Sequence, residues 1–369
     1  MRRCEGTILT PKAWIRGTIE FDDRITSIQG LPVSGPGSHE PVILPGFMDL
    51  HVHGGGGVDI MNGNGSVVSV ARMHARHGTT SMLATTVCAS RLDLERVSAD
   101  VASAILERDT GCAKVLGTHL EGPYINMAKL GAQPNNIRSG SLEEILSLNE
   151  LAPIRIVTLA PELDGHLGFI RSLSDRGIVV QIGHTLGSYE TGVAALQAGA
   201  RGFTHLFNAM TGMHHRTPGM VSTAMAHAEY AEIIPDLLHV HPALIHAAIR
   251  AIPKLYCVTD ATAGAGMPDG TYTLGTQSVT KCNGGVRLAD GTLAGSTLTM
   301  DNALRNLVSI GLSLSEAACR VSTFPADHLG IEDRGRLAQG CWADFVVMSP
   351  LLDLLNVFVE GESIDLANA

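Results

Sequence analysis

Eight short apolar runs alternate with helix-like segments through the middle of this chain, and that alternation leaves few architectures open. The runs are 42-VILPGFMDLHV-52, 79-TTSMLATTV-87, 114-KVLGTHLEG-122, 154-IRIVTLAPE-162, 178-IVVQIGHT-185, 202-GFTHLFNAM-210, 232-EIIPDLLHV-240 and 255-LYCVTDAT-262. Helix-like stretches separate most of them, Asp93–Arg108 and Tyr189–Ala198 among them. Eight strand candidates alternating with helices predict a parallel (β/α)8 barrel. The rival architecture, an open doubly wound sheet, wants a G-x-G-x-x-G after its first strand, and none follows here. Residues 266–297, with Gly270, Gly284, Gly285 and Gly291, read as a hairpin insertion after the eighth strand.

The two ends differ from the middle. Thr7–Leu9, Trp14–Phe21 and Arg24–Ile28 are β-like runs divided by Gly, Pro and Asp, with no helical period. After Gly335, the runs 342-WADFVVMS-349 and 355-LNVFVEGE-362 read the same way. The termini are therefore expected to meet in one small sheet domain.

A chain of 369 residues that is 45% hydrophobic and 17% charged can build a substantial core. Its net charge of −10 gives no electrostatic footprint for nucleic acid. Seven scattered cysteines, without a C-x-x-C, fit free thiols in a reducing compartment better than a disulfide framework. No signal-peptide run follows Arg2 and Arg3, and no stretch approaches a membrane span. A cytoplasmic protein is the plain expectation.

In a barrel enzyme the chemistry sits at the C-terminal ends of the strands. His51 and His53 end the first candidate strand, Glu121 the third and His184 the fifth. His205 lies in the sixth, His239 ends the seventh and Asp260 ends the eighth. With 16 histidines, on the order of one His-x-His pair arises by chance, so the first-strand pair alone decides nothing. Residues i and i+2 of a strand do share a side, so His51 and His53 can address one ion. Taken singly, each of these residues has a plain structural explanation. Together they place acids and imidazoles at one end of several apolar runs, where such groups are costly to bury without a partner. A divalent metal supplies that partner, and zinc suits this ligand mixture. Such an ion activates water and polarises a carbonyl, while a carboxylate such as Asp260 shuttles the proton that amide hydrolysis requires.

The run 45-PGFMDLHVHG-54 resembles the first-strand motif of the amidohydrolase superfamily. The stretches 119-HLEGPY-124, 157-VTLAPE-162, 182-IGHT-185, 204-THLFNAM-210, 258-VTDAT-262, 295-GSTLTMDNALRN-306 and 335-GRLAQGCWADFVV-347 are similar to N-acetylglucosamine-6-phosphate deacetylases. The resemblance covers the chain in order. It implies a metal-dependent (β/α)8 barrel at 45–334, with a small β-sandwich domain made from 1–44 and 335–369. It also implies that Glu121, His184 and His205 are metal ligands and Asp260 the catalytic aspartate beside them. His51 and His53 match a pair that holds an additional metal, giving room for one or two ions. Gln133, Asn208, Ala209, His239 and Leu298 fall at substrate-binding positions. Arg216, in 214-HHRTPG-219, matches an arginine sent into the neighbouring subunit's site to grip phosphate, which implies a homodimer.

Three features depart from the family pattern. Gln133 stands where many members carry a histidine; it donates a hydrogen bond but carries no charge. Pro235 and Leu237 replace the usual Ala and Gly, and the region around His39 carries no family signal. Cyclic-amide hydrolases of the superfamily are disfavoured, because 154-IRIVTLAPE-162 has no lysine to carry a bridging carbamate. A deacetylase of the galactosamine epimer stays open, as does a barrel that binds metal or sugar phosphate without turnover.

Overall fold

The structure is a computed structural model that describes residues 1–107 and 109–367. Its barrel strands are Phe47–Val52, Thr79–Thr85, Lys114–Glu121, Ile154–Leu159, Val179–Ile182, Gly202–Phe203, Tyr230–Ile233 and Lys254–Cys257. The first six form one parallel sheet in chain order, and the last two pair with each other. Backbone bonds beyond the strand ends close the ring. Leu206 N donates to Glu232 O at 2.9 Å, Asp260 N to His51 O at 2.9 Å, and His53 N to Ala261 O at 2.8 Å. Every residue of the first strand is buried, as befits a strand covered by helices outside and packed side chains inside.

A helix follows each strand, and the local sequence shows why several start where they do. Arg91–Leu106 begins after Ser90, whose hydroxyl accepts from Asp93 N. Leu142–Leu151 and Tyr189–Gln197 are capped in the same way by Ser141 and Ser188. Arg108, the expected end of the second helix, lies outside the described residues. The expected hairpin insertion is a three-stranded antiparallel sheet, Gly270–Leu274, Gln277–Cys282 and Gly285–Arg287.

Both termini enter one seven-stranded sheet. Its order runs Glu362–Ser363, Leu354–Val359, Phe345–Met348, Val42–Pro45, Arg2–Leu9, Trp14–Phe21, Ile25–Val33. Strands three apart in a flat sheet would sit about 14 Å from each other. Yet the Phe21 ring lies 4.9 Å from Phe345 and 5.2 Å from Phe358, centroid to centroid. The sheet therefore curls over itself, and Ile25 N to Cys341 O (2.8 Å) and Ala343 N to Asp23 O (2.9 Å) tie its two ends. Two packed faces exist, as expected of a sandwich, but one continuous sheet supplies both. The first apolar run is divided between the two domains at Gly46. A side chain there would strike Thr80, its Cβ falling 2.3 Å from the threonine side chain.

Several strands stop short of their apolar runs. His205 does not lie in the sixth strand but two residues past it, and His239 lies six residues past the seventh. Positive-φ backbone that no strand accommodates accounts for both: His205 itself at 29°, and Leu237 at 64° before His239. Asp236 adds to the second break, accepting from Leu238 N and His239 N in a side-chain turn.

Candidate metal centre

Six of the residues named from the sequence converge at the barrel mouth. On one side, His51 Nε2 lies 3.1 Å from His53 Nε2 and 3.5 Å from Asp260 Oδ1, and His53 Nε2 lies 3.3 Å from that same oxygen. On the other, Glu121 Oε1 lies 3.0 Å from His184 Nε2 and 3.1 Å from His205 Nε2. The second oxygen of Glu121 faces the first group, 3.1 Å from His53 Nε2 and 3.5 Å from His51 Nε2. One carboxylate thus spans two clusters of donors.

The backbone aims these side chains at some cost. His184, His205 and Asp260 all sit in the left-handed region, at φ 49°, 29° and 50°. For a residue with a Cβ, that conformation costs roughly 1–2 kcal/mol. Such strain collects where a ligand must be aimed off the end of a strand. Below the ligands, Asp49 accepts from Thr259 Oγ1 (2.6 Å), Thr259 N (3.2 Å) and His51 N (3.3 Å), stitching the first strand to the eighth.

The buried carboxylates need positive partners. Burial disfavours the ionised form of Glu121, but His51 and the hydrogen bonds from His184 and His205 hold it well below the usual carboxylate range. Burial likewise opposes ionisation of Asp260, yet His51 and His53 bring it down to about 2. Burial lowers the basicity of His53, but Asp260 and Glu121 outweigh that and raise it to about 9. His51 is raised well above its ordinary value against the same burial, by Glu121, Asp260 and Glu232. Protons on imidazole thus neutralise the carboxylates. A divalent ion would do so in their place, and the donor set fits one. Imidazole nitrogens and carboxylate oxygens from His51, His53 and Asp260, and again from Glu121, His184 and His205, each gather within 4.8 Å.

The cluster floors a cavity of about 340 Å³ lined by Lys129, Gln133, Asn208, Ala209, His239, Leu274, Thr292, Leu293 and Gly295. That volume suits a monosaccharide-sized ligand. Gln133 has both ends of its amide engaged. Cys88 N can only donate, so Oε1 accepts from it at 2.8 Å and Nε2 faces Glu121 Oε2 at 2.5 Å. His239 Nδ1 is held by Asp236 Oδ2 at 2.6 Å, which leaves Nε2 for a ligand. Leu298 lies elsewhere: it is buried in the core, with its N–H on Ser296 Oγ, and does not line the cavity wall. Arg216 is exposed on the loop after the sixth strand and is also absent from that wall. A second cavity, about 400 Å³, lies between Trp14, Lys12, Cys319 and Arg336 at the seam of the two domains, and shares no lining residue with the ligand cluster.

Sequence reasoning missed three residues. Lys129 lines the cavity, and its carbonyl accepts from His184 Nδ1 at 2.7 Å. Asp236 holds His239, and Glu232 holds His51 Nδ1 at 2.9 Å. An acid at the head of an apolar run was the available signal for Glu232.

The amidohydrolase family model matches residues 42–364. The chain belongs to the amidohydrolase family. This amidohydrolase is 37% identical to an N-acetylgalactosamine-6-phosphate deacetylase of Escherichia coli O157:H7, over 96% of this chain and 97% of the relative. It is 38% identical to an N-acetylglucosamine-6-phosphate deacetylase of Bacillus subtilis (strain 168), over 87% and 84%. Among solved structures, the N-acetylglucosamine-6-phosphate deacetylase of Thermotoga maritima superposes with a TM-score of 0.91 at 31% identity, covering 99% of both chains. A variant of the Mycobacterium smegmatis enzyme in complex with N-acetyl-D-glucosamine 6-phosphate gives 0.89 at 33% identity, over 98% of each chain.

Proposed function

We propose that this amidohydrolase removes the N-acetyl group of N-acetylglucosamine 6-phosphate, giving glucosamine 6-phosphate and acetate, and that zinc is its metal. The observation that carries the reading is the position of Asp260, whose Oδ1 lies 3.3 Å from His53 Nε2 and 3.5 Å from His51 Nε2 in a cluster of six donor residues at the floor of a sugar-sized cavity. The relatives above, two of them structures, act on or bind this class of molecule.

His51, His53 and Asp260 would hold one ion, and Glu121, His184 and His205 another, with Glu121 between them. An ion in this setting lowers the pKa of water toward neutrality and polarises the acetyl carbonyl. Asp260 stays ionised at neutral pH, so it accepts the proton of the attacking water and delivers it to the departing amine. His239, oriented by Asp236, presents Nε2 to the substrate. Gln133 braces Glu121, and its second amide hydrogen remains for the substrate. Asn208 and Ala209 form the phosphate end of the cavity. Exposed Arg216 reaches the site of a second copy, which makes the enzyme a homodimer. A cytoplasmic location and domain limits at 44/45 and 334/335 belong to the same proposal. The first limit falls one residue before the two sheets part, since Pro45 still pairs with Phe345.

The galactosamine epimer is a second reading, favoured by the end-to-end match to the E. coli relative and by Gln133. The test is release of free amine from each sugar phosphate by zinc-loaded protein. Faster turnover of the glucosamine compound supports the proposal. Preference for the epimer keeps the chemistry and moves the specificity. No turnover of either, with zinc bound, overturns both readings.

A further inference from the structure

Glu232 is fully buried in the seventh barrel strand. An ionised carboxylate there costs several kcal/mol unless a positive partner is at hand. Its Oε1 accepts from Gln181 Nε2 at 2.9 Å and Tyr256 OH at 3.3 Å. Those neutral donors would be served as well by an amide oxygen. The other oxygen tells more: Oε2 meets His51 Nδ1 at 2.9 Å and accepts from His205 N at 3.1 Å. It is therefore bonded to one metal-facing imidazole and to the backbone of a second.

Four imidazoles point Nε2 into the cluster, and their Nδ1 atoms differ. His184 Nδ1 has a backbone carbonyl, while His53 Nδ1 and His205 Nδ1 are buried with no hydrogen-bond partner among the described residues. Of the four, His51 Nδ1 alone has a carboxylate among the described residues. A carboxylate behind an imidazole fixes the N–H on the far nitrogen, frees the near lone pair for a cation and makes it more basic. We propose that Glu232 is the positioning residue for the ion on the His51, His53 and Asp260 side, and that the occupancy of this ion depends on it. The inference rests on the metal-dependent reading above but not on the identity of the sugar.

The test is Glu232→Gln, which keeps the shape, compared with Tyr256→Phe, which removes a donor from the same carboxylate without touching His51. Zinc per chain is measured by elemental mass spectrometry and its affinity by competition with a chelator, on protein whose circular dichroism matches wild type. The expected result for Glu232→Gln is a loss of about 10–100-fold in the affinity of one ion, so that, at a buffered free zinc that just fills wild type, metal content falls from about two per chain toward one. Tyr256→Phe is expected to keep both. Wild-type affinities in Glu232→Gln would overturn the proposal. So would an equal loss in Tyr256→Phe, which would mean only that the core had loosened. Glu232-dependent zinc binding in a protein that deacetylates neither sugar phosphate would leave this inference standing and remove the proposed substrate.

Discussion

Two buried charged clusters in this protein are built on opposite terms. At the edge of the terminal sheet domain, Arg334 donates to Asp344 and Glu360, and its guanidinium lies 4.9 Å from the Trp342 ring centre. Asp344 also accepts from Glu360 N at 2.7 Å. That cluster contains its own cation, fixed in the chain. At the barrel mouth, Glu121 and Asp260 face four imidazoles and no lysine or arginine forms an ion pair with either among the described residues. Burying charge is tolerated only with a partner. The difference teaches that one cluster has a fixed cation and serves the fold, whereas the other meets its carboxylates with titratable imidazoles, whose protons a metal ion can replace.

The largest effect that would test this contrast belongs to Asp260. Asp260→Asn is expected to lower kcat by about 100- to 10,000-fold, the usual worth of a positioned proton shuttle, in protein whose circular dichroism matches wild type. A variant as active as wild type would break the assignment. Next comes Arg334→Met, which leaves two buried carboxylates without their cation. We expect it to cost about 3–5 kcal/mol in urea unfolding, with unchanged zinc content in the folded protein. Loss of zinc in proportion to stability would show that the two clusters are not independent.

Adding the external cation gives a third, smaller effect with a definite sign. In metal-free protein His53 holds its proton up to about 9, so at pH 7 zinc uptake must expel it. Calorimetry in buffers of different protonation enthalpy should detect that release, and apparent zinc affinity should rise with pH until about 9. The stability that protonated His53 lends metal-free protein is complete below its unfolded value of about 6.5 and is lost as pH rises through about 9. Zinc at a thousandfold excess over its Kd adds about 4 kcal/mol. The gap in melting temperature between loaded and metal-free protein should therefore widen across that window. A gap that narrows would mean the imidazoles are already neutral.

The same comparison explains what can be read in advance. Eight apolar runs announce the barrel because burial on both faces leaves a one-dimensional trace. The candidate ligands His51, His53, Glu121, His184, His205 and Asp260 are legible as polar residues at one end of such runs. What stays hidden depends on departures from regular structure. Leu237 and His205 leave strand geometry through positive φ, which composition does not mark, so the apolar pattern alone puts His239 and His205 on strands. Glu232 reads as an ordinary strand residue because its partners, His51 and His205, are 181 and 27 positions away in sequence. The curl of the terminal sheet, which brings Phe21 onto Phe345, follows from pairing between the two ends of the chain, and no local pattern encodes that.

The smallest expected effect concerns where strain is kept. Of the ten non-glycine residues with positive φ among those described, His184, His205, Phe207, Ala209, Leu237 and Asp260 lie at or after the strand ends that form the mouth. Ala209, at φ 50°, has no long side chain whose packing would cloud a substitution. Ala209→Gly removes a left-handed penalty of roughly 1–2 kcal/mol. Glycine's freer unfolded chain takes back about 0.4–1 kcal/mol. The net should lie between about 0 and about 1.6 kcal/mol of gain, read as a small rise in melting temperature. Activity should move the other way. Ala209 O accepts from Thr185 N at 3.0 Å, so a looser residue here blurs the wall that receives the sugar phosphate and raises KM while kcat holds. A variant with lower melting temperature and unchanged KM would mean the left-handed turn is unstrained, and that the mouth differs from the terminal domain in charge alone.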